Sequence, residues 1–253
     1  MTQSNRATPK PSKLYALTSG GKDSLTLAHY LDSKGMLEAC VFLDTGIKAP
    51  DLLDFMRTLP YPLEVYKTTA NFDDIVRRVG FARPYSHKWY VNYLKGRALN
   101  QFSKAHRGEH PVLASGARAT ESARRATNIG KGGLTKWEGL PVEKPLNDWT
   151  TEMVWDYVRR HDLKLSPCYR AIHYSGDCFC GAFAEKREIK MIEMMYPEVA
   201  ERIHRLEAEV GGVWGSRILP AKRNSKQSTL ESFACQECSI LQPVPLGVSS
   251  HEV

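Results

Sequence analysis

The sequence predicts an α/β fold in which helices flank a parallel sheet, followed by a helical and irregular C-terminal extension that carries cysteines. Short apolar runs typical of buried strands alternate with segments whose apolar residues recur at helical spacing. The composition of the 253 residues, 42% hydrophobic and 25% charged, excludes a collagen-like or wholly disordered chain. The alternation predicts βαβ units, whose ligands bind beyond the carboxyl ends of the strands.

The first half of the chain supplies four predicted strands. Residues 14–18 form the first one, which ends in a Ser-Gly-Gly turn before a helix. The later elements of this half are a strand at 39–43, a helix at 51–59, a strand at 63–67, a helix capped by Asn71, a helix at 90–105 and a strand at 111–114.

The second half is predicted to be helical and then irregular. A Gly-rich loop at 131–133 precedes helices that begin at 148–150, at 185 and at 198. The predicted organisation is a loose tail (1–12), an α/β domain that binds the ligand (13–183), an extension with a Cys-x-x-Cys pair (184–240) and a flexible tail (241–253). A polar N-terminus and the lack of an apolar run of about 20 residues predict a cytoplasmic protein that does not engage a membrane.

Positive charge is concentrated in residues 77–137, where thirteen Lys or Arg stand against two acidic residues in a chain of net charge +7. This excess predicts an anionic partner, which is either nucleotide phosphate or a nucleic acid such as tRNA or DNA. Lys95 and Lys104, taken singly, are predicted to lie on a solvated face.

A Gly-rich segment between the first strand and the first helix is predicted to bind an anion. Its members are Thr18, Ser19, Gly20, Gly21, Lys22, Asp23 and Ser24. The glycines let the backbone approach an anion closely, the helix N-terminus offers unpaired N–H groups, and Lys22 adds charge. The order of these residues differs from that of the Walker A loop.

This Ser-Gly-Gly-Lys-Asp-Ser segment resembles the PP-loop of the ATP pyrophosphatase superfamily, and later segments resemble the phosphoadenosine phosphosulfate (PAPS) reductase family. They are Asp-Thr-Gly at 44–46, Gly-x-Arg-x-x-Glu-Ser-x-x-Arg at 116–125, Lys-Pro-Leu to Val-Trp at 144–155, and Pro-x-Tyr to Cys-x-Cys at 167–180. The resemblance implies a Rossmann-like PP-loop fold. It also implies an enzyme that uses ATP, PAPS or adenylyl sulfate (APS) in sulfur chemistry, with Mg²⁺ as a candidate metal ion.

The resemblance also assigns residues. Lys22 and Asp23 are implied to be catalytic, and nucleotide contacts are implied for Ser19, Gly20, Gly21, Lys22, Asp23, Ser24, Asp44, Thr45, Gly46, Gly116, Arg118, Glu121, Arg124 and Arg125. Arginines can grip phosphate or sulfate in a bidentate manner. Asp44 either meets a ribose hydroxyl or Mg²⁺ or only shapes a turn. Glu121 either positions an arginine or pairs with Arg125 on a helix.

Five of the six cysteines lie late in the chain, at Cys168, Cys178, Cys180, Cys235 and Cys238. Without a secretory signal, such clustering favours metal or redox chemistry over disulfides. The preferred ligands of a [4Fe–4S] cluster are Cys168, Cys180, Cys235 and Cys238, with Cys178 as a substitute and zinc as the second choice of metal. Cys40, in an apolar run, is predicted to be a buried strand residue.

Two enzymatic functions fit these motifs. The favoured one is a PP-loop sulfurtransferase that thiolates a nucleic acid or another acceptor, which the basic stretch and the clustered cysteines indicate. The alternative is a PAPS or APS reductase. Its nucleophile would be Cys238, in a segment that resembles the C-terminus of such reductases, and a thioredoxin-like or other electron or sulfur donor would then act. A non-catalytic nucleotide-binding module is disfavoured by the intact loop and the nearby thiols.

Overall fold

The computed structural model describes residues 13–121 and 135–215. These residues form a six-stranded sheet in the order β3-β2-β1-β4-β6-β5. Its strands are β1 (Leu14–Thr18), β2 (Leu37–Asp44), β3 (Leu63–Lys67), β4 (Leu113–Ala114), β5 (Thr135–Trp137) and β6 (Leu140–Glu143). All neighbours pair in parallel except β5, which pairs with β6 in an antiparallel hairpin. The predicted α/β fold with a mostly parallel, Rossmann-like sheet is confirmed.

Helices cover both faces of this sheet. They are α1 (Lys22–Ser33), α2 (Leu52–Arg57), α3 (Phe72–Val79), α4 (His87–Val91), α5 (Arg97–Ala105), α6 (Thr151–Arg160), α7 (Pro167–Ile172), α8 (Lys186–Met195) and α9 (Pro197–Val210). A π-helical turn, Asn92–Gly96, joins α4 to α5. Asn71 caps α3 as predicted, because its side-chain oxygen accepts a hydrogen bond from the Asp73 amide at 2.9 Å.

The central strand β2 is buried on both sides, which explains its continuous apolar run. Val41 and Leu43 pack with Leu99 and Phe102 of α5, whereas Phe42 packs in a larger core with α2 and α3. Cys40 is 2% exposed, which confirms its prediction as a buried strand residue. Helices α8 and α9, with Tyr196 between them, share the larger core, to which this segment contributes the buried side chains Ile192, Tyr196, Val199, Ala200, Ile203 and Leu206.

Several elements differ from the predicted ones. The strand predicted at 111–114 is reduced to Leu113–Ala114, and the helix predicted at 90–105 begins at His87 and contains the π turn. The hairpin of β5 and β6 was not predicted, because its short strands carry little apolar periodicity and are defined by pairing with β4. Helix α7 also escaped prediction, although Ser166 and Pro167 form a recognisable start.

The topology decides where a ligand can bind. From β1 the chain continues to β2 and β3 on one side, and then crosses to β4 on the other side of β1. The carboxyl ends of β1 and β4 therefore flank a switch point, the place where open α/β sheets leave a crevice.

Candidate functional site

A cavity of about 450 Å³ lies at this switch point. One side, which we name the loop wall, consists of residues 18–24 at the end of β1 together with residues 115–117 after β4. The opposite side, the far wall, consists of residues 169–177 together with Lys95 from the π turn. The volume falls within the usual range for sites that hold small molecules and cofactors, about 300–1,000 Å³.

The loop wall is shaped by the hydroxyl of Ser24. Its Oγ donates to the Gly21 carbonyl at 3.0 Å and accepts from the Ser19 amide at 3.1 Å. The Ser19 hydroxyl lies 3.2 Å from the same oxygen. Gly21 is the N-cap of α1, and no side chain of the described residues caps this helix. The first-turn N–H groups of α1 therefore stay available to an anion in the cavity.

Glycine at 116 is required by the close approach of two chain segments. A Cβ atom at Gly116 would lie 2.9 Å from the main-chain oxygen of Asp23 and 3.2 Å from the nitrogen of Ser24. These are backbone atoms, which cannot swing away as a flexible side chain would. The absence of a side chain at Gly116 thus lets the end of β4 pack against the first turn of α1.

A buried ion-pair network lies beneath the loop wall. The Asp23 carboxylate accepts from Arg118 Nε at 2.7 Å through one oxygen, and its other oxygen lies 2.7 Å from Lys22 Nζ. Arg118 is 1% exposed, and its Nη1 donates to Thr120 Oγ1 at 3.0 Å and to the Trp149 carbonyl at 3.1 Å. The Arg118 main-chain N–H donates to Glu121 Oε2 at 3.2 Å.

The sequence led us to expect a phosphate grip from Arg118 and contact with a ligand from Asp44. Arg118 uses its donors inside the protein and holds Asp23, which in turn holds Lys22. Asp44 accepts from the Gly46 amide at 2.8 Å and pairs with Lys48 at 3.1 Å. Asp44 thus has the turn-shaping contacts of the second alternative for this residue.

The far wall centres on an ion pair that the sequence did not indicate. Lys95 Nζ contacts Asp177 Oδ2, and the two side chains are 24% and 9% exposed. Ser175 Oγ donates to the other Asp177 oxygen at 2.5 Å, and the buried Thr45 hydroxyl donates to the Asp177 carbonyl at 3.0 Å. Burial by itself would lower the pKa of Lys95, but the Asp177 carboxylate and the nearby thiol groups raise this pKa on balance.

The prediction of a solvated face is therefore wrong for Lys95, whereas Lys104 is exposed as predicted. Lys95 and Asp177 are 82 residues apart in the chain. No local pattern relates two such residues, so the sequence carried no signal for their pairing.

Behind the far wall lie three buried thiols. Cys178 and Cys180 are 8% and 3% exposed. Hydrogen bonding between these two thiols raises the pKa of Cys178 and lowers the pKa of Cys180. Burial raises the pKa of Cys168 to about 12.

The described thiols do not by themselves complete a metal site. Among residues 13–121 and 135–215, no three His, Cys, Asp or Glu side chains form a group that could hold a metal ion. A [4Fe–4S] cluster needs four ligands, so two or more would have to come from elsewhere in the chain. The predicted ligands Cys235 and Cys238, together with Arg124, Arg125 and the predicted loop at 131–133, lie outside the described residues.

Comparison with known proteins gives the chain a family. Residues 13–181 match the model of the phosphoadenosine phosphosulfate reductase domain. In an alignment of length 127 that covers 46% of this chain, the chain is 29% identical to an uncharacterized 37.8 kDa protein of Escherichia phage 186. The matched stretch spans only 36% of that relative.

Two solved structures resemble the chain. A PAPS reductase from Candida auris, in complex with phosphate, is 17% identical with a TM-score of 0.44, over 62% of this chain and 76% of that one. The U34-tRNA thiolase NcsA from Methanococcus maripaludis, with its [4Fe–4S] cluster, is 15% identical with a TM-score of 0.46, over 94% of this chain and 86% of that one. Both are enzymes by name. No helix among the described residues has the length and apolarity that crossing a membrane requires.

Proposed function

Since the chain belongs to the phosphoadenosine phosphosulfate reductase family, we propose that it is an enzyme that binds an adenine nucleotide in the switch-point cavity and uses it in sulfur chemistry. The observation that carries this proposal is the loop wall. There the uncapped N-terminus of α1 and the ammonium group of Lys22 line one cavity. Backbone N–H groups and a lysine are a combination suited to nucleotide phosphates.

The cavity offers complementary groups for the rest of a nucleotide. Leu17, Val41 and Leu43 provide apolar atoms, and Trp137 provides an aromatic ring, against which a purine can pack. Asp23 and Asp177 both line the cavity. Carboxylates are the ligands that Mg²⁺ carried in with the phosphates would need.

The favoured reaction within this proposal is thiolation. An acceptor oxygen would attack the α-phosphorus of ATP, and pyrophosphate would leave as the acceptor–AMP bond forms. A sulfur nucleophile would then displace AMP and leave the acceptor with sulfur in place of oxygen. In this reaction Lys22 would neutralise the leaving pyrophosphate, and Arg118 would act as a positioning residue, because it holds Asp23 beside Lys22.

A metal centre at the thiols remains part of the proposal. A [4Fe–4S] cluster, or zinc as the second choice, would be held by Cys168, Cys180, Cys235 and Cys238, with Cys178 as a substitute. Of these two centres, the cluster would supply or store sulfur. The support for a metal centre is the burial of Cys168, Cys178 and Cys180, which flank residues 169–177 of the far wall in the chain.

The alternative reaction is reduction of PAPS or APS, which the description of the family favours. In that case the Cys238 thiolate would attack the sulfur of the sulfonucleotide and expel the adenosine phosphate. A thiol donor of the thioredoxin class would then release sulfite and leave a disulfide. The nucleotide would occupy the same cavity in both reactions.

Calorimetric titration with ATP, PAPS and APS, followed by product analysis, tests the proposal. Lys22→Ala should weaken binding of the preferred nucleotide by about 2–4 kcal/mol, because a charged contact to phosphate is lost. Lys104→Ala is the control, since Lys104 is an exposed lysine outside the cavity. Pyrophosphate released from ATP identifies thiolation, whereas sulfite released from PAPS or APS identifies reduction. Equal nucleotide affinities of the Lys22→Ala variant and the unmodified protein would refute the site.

A further inference from the structure

We infer that the helix formed by α4, the π turn and α5 carries a binding surface for single-stranded nucleic acid, on which exposed aromatic rings stack against unpaired bases. We name this surface the aromatic stripe and define it as Tyr85, Trp89, Tyr93 and Arg97. Trp89, Tyr93 and Arg97 recur every four residues, the spacing at which side chains share one face of a helix. Tyr85 lies in the turn immediately before this helix.

Three of the four members of the stripe, Trp89, Tyr93 and Arg97, form a continuous stack. The rings of Trp89 and Tyr93 lie nearly parallel, at an angle of 18° with their centroids 4.9 Å apart. The Arg97 guanidinium lies over the same Tyr93 ring, with Cζ 4.3 Å from its centroid. The π turn contains Tyr93 and ends immediately before Arg97, so the wider helical turn lies within the stack.

The stripe is open at its N-terminal end. Tyr85 is 89% exposed and Trp89 is 44% exposed, although large aromatic side chains contribute strongly to folding when they are buried. A stacked pair with one exposed member offers a ready platform for a further planar group. A nucleobase is such a group, and stacking of bases on aromatic rings tolerates any base because every base has a π-face.

Charge identifies the class of partner. From Ile75 to Gly108 the sequence contains eight Lys or Arg and no Asp or Glu. Lys88, next to Trp89, and Arg97 are exposed, and neither pairs with a carboxylate among the described residues. A basic stretch of chain in which exposed cations such as Lys88 and Arg97 alternate with aromatic rings matches a phosphate backbone with unstacked bases. A duplex would keep its bases stacked inside and leave the rings without partners.

The stripe is also connected to the cavity. Lys95, within the same π turn, lines the far wall and pairs with Asp177. The helical members of the stripe and Lys95 thus belong to one helix, of which Lys95 reaches the cavity. Delivery of a base or sugar oxygen to the nucleotide in that cavity rests on the proposed thiolation, whereas binding of a strand to the stripe does not depend on it.

Fluorescence anisotropy with labelled single-stranded DNA and RNA of about 10 nucleotides, in the absence of any nucleotide cofactor, tests the inference. Trp89→Ala should weaken binding about ten-fold, whereas Trp89→Phe, which keeps a ring, should retain most of the affinity. Tyr85→Ala is a second variant of a residue too exposed to affect folding, and it should weaken binding in the same direction. Met194→Ala removes an exposed side chain from α8 and should change nothing.

Salt dependence separates stacking from charge. Lys88→Gln should lower the slope of log affinity against log salt by about 0.7, the value for one phosphate contact on a single strand. Lys164→Gln, at an exposed lysine after α6, should leave the slope unchanged.

Four results would overturn the inference: no binding at low salt, unchanged binding by Trp89→Ala, equal binding to duplex and single strand, or self-association lost in Trp89→Ala without any oligonucleotide binding. The last result would identify a protein interface. Calorimetric titration of Trp89→Ala with ATP keeps the two proposals apart. Normal ATP binding with lost oligonucleotide binding supports the stripe, and the reverse pattern refutes the stripe but not the nucleotide site.

Discussion

The two walls of the cavity present different chemical groups: the loop wall presents mainly main-chain groups, and the far wall presents side chains. The loop wall offers mainly backbone groups of one short segment, which Ser24 folds into a turn at the start of α1. The far wall offers side chains that come from separate segments, such as Lys95 and Asp177, with buried thiols behind it. A phosphate site can be complete within seven residues because main-chain N–H groups are present in almost any sequence. A metal centre needs several particular side chains brought together, and the described thiols supply only part of such a set.

The largest expected effect concerns the thiols behind the far wall. Anaerobic purification followed by iron and sulfide analysis should give a protein with brown [4Fe–4S] absorption. Single changes of Cys168, Cys180, Cys235 or Cys238 to Ser should each abolish this absorption, because all four thiolates are needed. Cys178→Ser should retain it.

The control is Cys40→Ser, which alters a thiol buried in β2 in another part of the core. If the purified protein is colourless and contains zinc, the metal at this site is zinc and not a [4Fe–4S] cluster. Full absorption after loss of Cys235 and Cys238 would show that this site does not depend on the C-terminal pair.

The next largest effect tests the network beneath the loop wall. Asp23→Ala should lower the free energy of unfolding by about 3–5 kcal/mol, because the buried Arg118 guanidinium would lose its carboxylate partner. Denaturant unfolding measures this change. Asp54→Ala breaks an exposed ion pair with Arg57 and should cost only about 0–1 kcal/mol. Similar losses in the two variants would show that the Asp23–Arg118 pair contributes no more to the free energy of unfolding than an exposed ion pair does.

Substitution of two glycines compares a tightly packed position in the far wall, Gly176, with a position that has free space around it, Gly46. Gly176 and Gly46 have φ values of +72° and +75°, so alanine strains both backbones to a similar degree. A Cβ at Gly176 would lie 2.5 Å from Cys168 Sγ, whereas a Cβ at Gly46 would meet nothing within 4 Å. Gly176→Ala should therefore destabilise the protein by about 1–3 kcal/mol more than Gly46→Ala. Equal unfolding midpoints of the two variants would mean that the segment around Cys168 moves away from the added methyl group without loss of stability.

The smallest effect is expected away from both walls. His106 lies between two carboxylates, with Nε2 2.8 Å from Glu64 and Nδ1 2.7 Å from Glu109. Burial lowers the pKa of His106, but these hydrogen bonds outweigh it and raise the pKa on balance. Because the folded pKa is raised, the stabilisation is complete below the unfolded value of about 6.5 and is lost as pH rises through the folded pKa.

Thermal unfolding from about pH 5 to about pH 9 measures this dependence. The stability advantage of the unmodified protein over His106→Gln should shrink as the pH rises. Tyr15 and Tyr66, whose hydroxyls lie 3.3 and 3.2 Å from the ring nitrogens, remain in place in this variant. An advantage that is independent of pH would mean that His106 contributes packing only.

The sequence by itself determined the order of the first strands and helices and the position of the loop at 18–24. Both depend on neighbouring residues: apolar periodicity defines an element, and Gly-Gly between a strand and a helix defines the loop. Asn71 as a cap and Cys40 as a buried strand residue follow from equally local rules.

Only the tertiary structure decided which side chains meet across the cavity. It brought Lys95 out of the predicted solvated face and onto Asp177, and it turned Arg118 inward onto Asp23, 95 residues away. It also defined β5 and β6, whose short strands exist through pairing with β4. The physical reason is that an ion pair or a sheet ladder joins groups that are close in space but distant in the chain. Local propensity and spacing hold no information about such pairs, whereas they describe the turn at 18–24, whose hydrogen bonds lie within its own segment.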